Sequence, residues 1–276
     1  MKISLCCIGR LENQYAVEFV EHYFALGFDK IFIYDNNHDN EEHFEDVLNK
    51  YLGNVNIINY RNIEAAQLKA YENCYNNYGC DFDYMAFFDF DEFLYLPKDK
   101  NIKTYLSRNI ENYDVIKINW MNMSDNDLVF NDKRLLNERF TKPCEKSTKI
   151  NYNFPENCHA KSIVKCGIKN FIWNGNPHTP GITKLKYCDS NFIKSDSTFH
   201  TDKINHETAY LKHFSTKTID EFINNKLKRG TADRTYKTFL NTYGFKNFFI
   251  LNKITEDKLK YIKDKGLTYT PNEQPK

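Results

Sequence analysis

The stretch Tyr84-Met85-Ala86-Phe87-Phe88-Asp89-Phe90-Asp91-Glu92-Phe93-Leu94 constrains this chain more than any other. An apolar and aromatic run drives straight into three carboxylates. Such a run, bounded by charge, reads as a buried central strand. Side chains alternate along an extended backbone, so Asp89 and Asp91 are expected to point the same way and Phe90 the other. Two like charges at a strand exit repel unless something stands between them. A divalent cation removes that repulsion, and oxygen ligands suit Mg²⁺ or Mn²⁺. In open α/β sheets ligands bind at the carboxyl ends of the strands, where this pair is expected to sit.

The rest of the chain supplies the sheet around that strand. Residues 2–8 read as a first buried strand, stopped at Gly9-Arg10. Apolar residues at 16, 17, 19, 20, 23, 24 and 26 have helical spacing, with Gly27 as terminator. Strands follow at 30–34 and 55–60, and helices at 41–51 and 63–75. This alternation predicts βαβ units: an α/β fold with a mostly parallel central sheet flanked by helices. Beyond Pro97 the spacing predicts a helix at 101–108 and strands at 113–120, 162–166, 169–173 and 210–214. Helices are expected at 218–228, 233–243 and 255–265. The long polar stretch 121–205 reads as functional loops. One domain spans 1–276, with a nucleotide-binding half (1–97), an acceptor and catalytic half (98–230) and a helical extension (231–276).

Charge narrows the partners. Thirty-eight basic residues face 37 acidic ones, a formal charge of +1, so nucleic acid is not an expected partner. No run approaches the roughly 18 apolar residues of a spanning helix and no signal peptide is read. The expectation is a cytoplasmic protein that can lie peripherally on the inner face of a membrane. The eight cysteines contain no Cys-x-x-Cys and read as reduced and structural. A zinc site from Cys158, His159, Cys166 and His178 fits no common spacing.

The expected chemistry lies along one sheet edge. Strand ends at Cys7 to Arg10, Asp35-Asn36, Tyr60-Arg61 and Asp89 to Asp91 would line it. Asp35 can accept hydrogen bonds from a ribose or base, and Arg10 and Arg61 can meet phosphate. Gln67 and Tyr71, four apart, share one helix face that could meet a nucleotide. Neither GxGxxG nor GxxxxGK[ST] occurs, which disfavours a Rossmann dehydrogenase and a P-loop NTPase. His213 and His178 can add imidazole to the acid pair's metal shell. Asp125 and Asp127 follow a strand ending at Trp120 and are candidates for a general base. Lys217, Lys226, Lys228 and Arg229 make a late helix basic, able to balance a diphosphate.

Several separated motifs resemble family 2-like glycosyltransferases related to family 92. They are Cys7 to Phe19 with His22-Tyr23, Leu26 to Ile31, Ile33 to Asn36, Tyr84 to Phe93, and Asn119-Trp120-Met121 with Asp125-Asn126. Lys161-Ser162-Ile163, His178-Thr179-Pro180 and the stretch from His213 to Gly230 continue the match in order. Phe214 stands where a tyrosine often follows the histidine, and residues after about 230 match nothing. The resemblance implies a GT-A fold and a nucleotide-diphosphate sugar donor with Mn²⁺ or Mg²⁺. It also implies inverting transfer, with UDP-galactose the expected donor and a cell-surface glycan or glycolipid the acceptor. Cys7, Gly9, Arg10, Glu12, Asp35, Asn36, Arg61, Gln67, Tyr71, Asp89 and Lys217 are then the donor-binding candidates. Asp89, Asp91, His213 and His178 are the metal candidates. Two alternatives stay open: a nucleotidyltransferase acting on sugar phosphates, and an inactive sugar-binding or scaffold protein.

Overall fold

The computed structural model describes residues 1–108, 110–144, 156–174, 176–230 and 244–269. Its centre is a sheet in the order β3-β2-β1-β4-β7-β6-β10-β5. The strands are β1 (Ile3–Gly9), β2 (Lys30–Asp35), β3 (Val55–Asn59), β4 (Tyr84–Phe87) and β5 (Glu92–Tyr95). They continue with β6 (Val115–Asn122), β7 (Ala160–Lys165), β8 (Tyr187–Asp189), β9 (Lys194–Ser195) and β10 (Tyr210–His213). β3, β2, β1 and β4 run parallel. β7 is antiparallel to both β4 and β6, and β10 is parallel to β6. The sheet therefore crosses the division expected at residue 97.

Alternation along β1 shows why the sheet carries helices on both faces. All its residues are buried. Ile3, Leu5 and Cys7 join one apolar cluster, whereas Cys6 and Ile8 join the other. The first cluster receives Tyr15, Ala16, Phe19, Val20 and Tyr23 from α1 (Asn13–Ala25), at the three- and four-residue spacing of one helix face. The second receives Ala70, Tyr71, Cys74 and Tyr75 from α2 (Gln67–Tyr78). A third cluster joins Ile219, Phe222, Ile223 and Leu227 to Phe248, Phe249 and Ile262 of the last helices.

Several elements differ from expectation. The strand bearing the acids ends at Phe87, and residues 88–91 turn the chain before β5 pairs antiparallel with β10. The turn is closed by Glu92 N–H donating to the Asp89 carbonyl (3.0 Å) while Asp89 N–H donates to Glu92 Oε2 (2.9 Å). Asp89 and Asp91 thus sit on a turn, not on an extended strand. The helix expected at 63–75 starts only at Gln67, after Asn62 and Ala65 adopt positive φ (60° and 48°) that an α-helix excludes. The span 41–51 divides into Phe44–Leu48 and a 3₁₀ turn, Asn49–Tyr51. Residues 169–173 form no strand. The helix expected near 218–228 is Ile219–Glu221, a π-helical turn Phe222–Lys226, and Leu227–Arg229. Gly244–Leu251 and Glu256–Asp264 are helical. The helix expected at 233–243 lies outside the described residues. Among the described residues no helix is long and apolar enough to cross a membrane.

Candidate active site

The carboxyl ends of β1, β4, β6 and β10 open onto one crevice of about 950 Å³, toward the upper end of the range for ligand sites. The amino end of antiparallel β7 reaches the same edge and brings Lys161. Gly9 closes β1 against the acid turn. A Cβ there would lie 2.6 Å from Phe90 Cδ2 and 2.9 Å from Phe44 Cζ, so only glycine lets the turn approach. The Phe90 ring stacks on Phe44 (centroids 4.8 Å apart, interplanar angle 7°) and anchors the turn from below.

The two acids have different surroundings. Asp89 Oδ1 accepts from Gln67 Nε2 (2.7 Å) and the Tyr71 hydroxyl (2.8 Å), and its Oδ2 pairs with Lys161 Nζ (2.9 Å). Burial opposes the Lys161 charge, yet Asp89 and Glu92 outweigh it and raise its pKa. Glu92 accepts from the Trp120 indole (2.8 Å) and is pushed well up by burial, with Asp89 and Asp91 adding to the effect. Asp91 faces the other way along the turn. Its Oδ1 lies 3.7 Å from His213 Nε2 and its Oδ2 lies 3.8 Å from Lys226 Nζ. Burial opposes ionisation of Asp91. The surroundings of His213, Lys226, Lys217 and Arg229 outweigh it and hold the carboxyl well below its usual range. Burial drives His213 down to about 3, leaving a neutral imidazole.

An ionised carboxylate and a neutral imidazole facing each other beyond hydrogen-bond distance are a chemically suitable pair for a divalent cation. Two neighbouring ligands of such an ion sit about 3 Å apart, so Asp91 and His213 need only a small closure. Asp89 is less available, because both its oxygens are already held by protein donors. His178 lines the crevice, with Nδ1 3.1 Å from the Ala160 carbonyl. Burial leads the causes that push it well down.

Other expected residues fall in three groups. Gly9, Arg10, Glu12, Asn36, Gln67, Asp89, Asp91, His178 and His213 line the crevice. Cys7, Tyr71 and Lys217 sit behind it. Cys7 Sγ faces the Phe32 carbonyl (3.7 Å), Tyr71 supports Asp89, and Lys217 Nζ lies 3.3 Å from Glu12. Asp35, Arg61, Asp125 and Asp127 do not line the crevice. Asp35 is fully buried and accepts from Asn37 and from Arg61 (2.9 Å), and Arg61 also pairs with Glu45 (2.8 Å). The charges of Asp35 and Arg61 meet each other. Asp125 is 1% exposed, and Lys258 Nζ lies 2.6 Å from its Oδ2 and 3.5 Å from Asp127 Oδ1. Neither acid is among the residues that line the crevice.

Sequence reasoning left Lys161 and Glu92 without a role. A lysine within the apolar strand Ala160-Lys161-Ser162-Ile163-Val164 was the available signal, since a buried cation needs an acid partner. Of the late basic residues, Lys226, Lys228 and Arg229 line the crevice. Arg229 pairs with Glu12, and Lys226 donates to the Ser215 carbonyl (2.6 Å).

The crevice at the strand ends of this α/β sheet interleaves acids with cations: Asp89 with Lys161, Asp91 with Lys226 and Glu12 with Arg229. The chain belongs to glycosyltransferase family 92, whose model it matches over residues 3–252. No curated protein matches it. Solved structures of S. aureus TarS resemble it at low identity. TarS 1–349 in complex with UDP-GlcNAc is 12% identical with a TM-score of 0.46, over 95% of this chain and 79% of that one. TarS 1–349 in complex with UDP is 13% identical with a TM-score of 0.40, over 95% and 78%. A longer TarS structure is 11% identical with a TM-score of 0.42, and the match covers 94% of this chain and 47% of that one.

Proposed function

We propose that this glycosyltransferase takes its sugar from a UDP-sugar, with the diphosphate at the Asp91, His213, Lys226 and Arg229 side of the crevice. The carrying observation is that Asp91, His213 and Lys226 converge there, from the turn after β4, the end of β10 and the following helix. Glycosyl transfer leaves negative charge on the departing diphosphate, and preorganised cations at that point favour the transition state over the ground state. Asp91 and His213 would hold Mn²⁺ or Mg²⁺, which supplies further charge neutralisation when bound. Lys226 and Arg229 place fixed positive charge beside them. Asp89 keeps Lys161 oriented at the opposite end of the turn, and Trp120 lines the crevice among His159, His178 and His213.

Galactose as the transferred sugar, inversion at its anomeric carbon and a saccharide of a cell-surface glycan as acceptor extend the same proposal. Their support is the family. An inverting reaction needs a group within hydrogen-bond reach of the acceptor hydroxyl. Glu12, Asp89 and Asp91, which line the crevice, are the nearer candidates for that group, ahead of Asp125 and Asp127.

The test is thermal stabilisation by UDP with and without Mn²⁺, followed by a donor-hydrolysis screen. A ligand at 100 times its Kd adds about 2.7 kcal/mol of stability. Mn²⁺-dependent stabilisation by UDP and release of sugar from UDP-galactose are expected. Stabilisation by UDP that ignores Mn²⁺ would remove the metal from the proposal. Release of pyrophosphate from UTP and a sugar 1-phosphate, with no sugar released from UDP-galactose, would make the protein a nucleotidyltransferase.

A further inference from the structure

We propose a second metal site, for Zn²⁺, formed by Cys158, His159 and His200. Their ligand atoms all lie within 4.8 Å of one another. The site shares no residue with the Asp91 and His213 pair and does not depend on which donor the crevice takes.

Local backbone structure brings the three together. Cys158 closes a 3₁₀ turn, Glu156–Cys158, and there the chain leaves the strict alternation of an extended strand. Adjacent side chains can then converge. His159 and His200 face each other across an isolated antiparallel bridge. Thr201 N–H donates to the Cys158 carbonyl (2.9 Å), and Ala160 N–H donates to the Phe199 carbonyl (3.1 Å). The two segments are therefore held in register on both sides of the histidine pair. Opposed residues in such a pairing project to the same face.

The spacing fits the metal. Two imidazole nitrogens, each about 2.0–2.1 Å from one tetrahedral zinc, stand about 3.3 Å apart. His159 Nε2 and His200 Nε2 are 3.2 Å apart. A thiolate with two imidazoles is a borderline-soft donor set that favours zinc over Mg²⁺ or Mn²⁺. Among the described residues these three supply a thiolate and two imidazoles, three of the four ligands of a tetrahedral zinc. His159 also lines the crevice, stacked on Trp120 with centroids 5.1 Å apart. Zinc here would fasten the crevice wall at Cys158 and His159 to the segment around His200. Cys166 takes no part: it follows the far end of β7, which at about 3.3 Å per residue puts it roughly 20 Å along the strand.

Cobalt substitution tests the site, because a cysteine thiolate bound to Co²⁺ gives a near-ultraviolet charge-transfer band that carboxylate and imidazole ligands do not. The full chain, stripped with chelator, is titrated with Co²⁺ and then with Zn²⁺. The expected result is a thiolate band saturating at about one equivalent and displaced by Zn²⁺. Zn²⁺ is also expected to raise the melting temperature of the stripped protein. Cys158→Ser should abolish the band. His200→Ala should weaken cobalt binding by on the order of 100-fold or more, since loss of supporting residues alone costs about 10–100-fold. Asp91→Ala should keep the band. A wild-type protein that binds Co²⁺ without a thiolate band, or a band unchanged in Cys158→Ser, would overturn the proposal. Both readouts are spectroscopic and need no active enzyme.

Discussion

At the scale of single residues, Asp91 carries the donor proposal and Gly9 carries the geometry beneath it. Asp91→Ala is expected to cut sugar transfer by on the order of 10²–10³ or more and to abolish Mn²⁺-dependent UDP binding, with the fold retained. Calorimetric titration with UDP plus Mn²⁺ checks it, and wild-type affinity in the variant would exclude Asp91 as a metal ligand. Gly9→Ala pushes against the Phe90 ring that supports the acid turn. It should cost about 1–3 kcal/mol by overpacking, read by denaturant unfolding, and should weaken UDP binding as well. The place of Asp89 and Asp91 at the crevice was legible in the sequence because acids after an apolar run mark the end of a strand, although Asp91 itself stays buried. That of Asp125 was not. A carboxylate in a polar loop looks available until its partner is known, and Lys258 lies far along the chain. Asp125→Asn and Asp127→Asn should therefore leave turnover per folded molecule near wild type.

At the scale of elements, Glu221 shows how the crevice wall is held. It closes a capping box with Thr218, whose hydroxyl donates to Glu221 Oε2 (2.7 Å). It also accepts from Arg139 (2.8 and 2.9 Å) and from the Tyr15 hydroxyl (2.5 Å). One carboxylate thus ties α1, the short helix Leu136–Arg139 and the late helix. Burial alone would raise its pKa. Arg139, with donors from Tyr15 and Thr218, outweighs burial and holds it below the usual 4.5. A depressed carboxyl pKa contributes stability that is present above the unfolded value and is lost as pH falls through the folded one. Glu221→Gln should cost about 3–5 kcal/mol at pH 7 by leaving buried Arg139 with only its 3.8 Å contact to Asp132 for charge compensation. The gap to wild type should narrow as pH drops below 4.5, and a gap that stays constant down to pH 3 would contradict this origin. The helical spacing near 218–228 was readable from the sequence, but its π-helical middle was not. A one-residue change in hydrogen-bond partner leaves little trace in apolar periodicity.

For the whole molecule, the residues after the family match are part of the same structure. The match ends at residue 252, yet Lys258 neutralises buried Asp125 and Ile262 packs in the third cluster. Truncation after Asn252 should destabilise the protein by several kcal/mol, because removing one partner of a buried pair costs about 3–5 kcal/mol. A melting curve equal to that of the full chain would show that Asp125 finds another partner. The parallel first half was legible because each strand and helix there is local and periodic. β8, β9 and the insertion of antiparallel β7 between β4 and β6 were not, since short strands are selected by distant neighbours more than by their own residues.

Glu12 lies just beyond the first strand, but its cations are Lys217 and Arg229, and the Tyr15 hydroxyl reaches Glu221 across 206 positions. A chain emerging from the ribosome can pair β1 with β2 and β4 early. It cannot satisfy Glu12 until residue 229 has been made. Contacts between such distant positions form late, because loop closure has to precede any gain from them. A nascent chain that stops short of this point holds the parallel strands of its sheet with a buried acid lacking its cations. The ability to hold a donor should therefore arrive in one late step, when the last third of the chain docks against the first turn after β1.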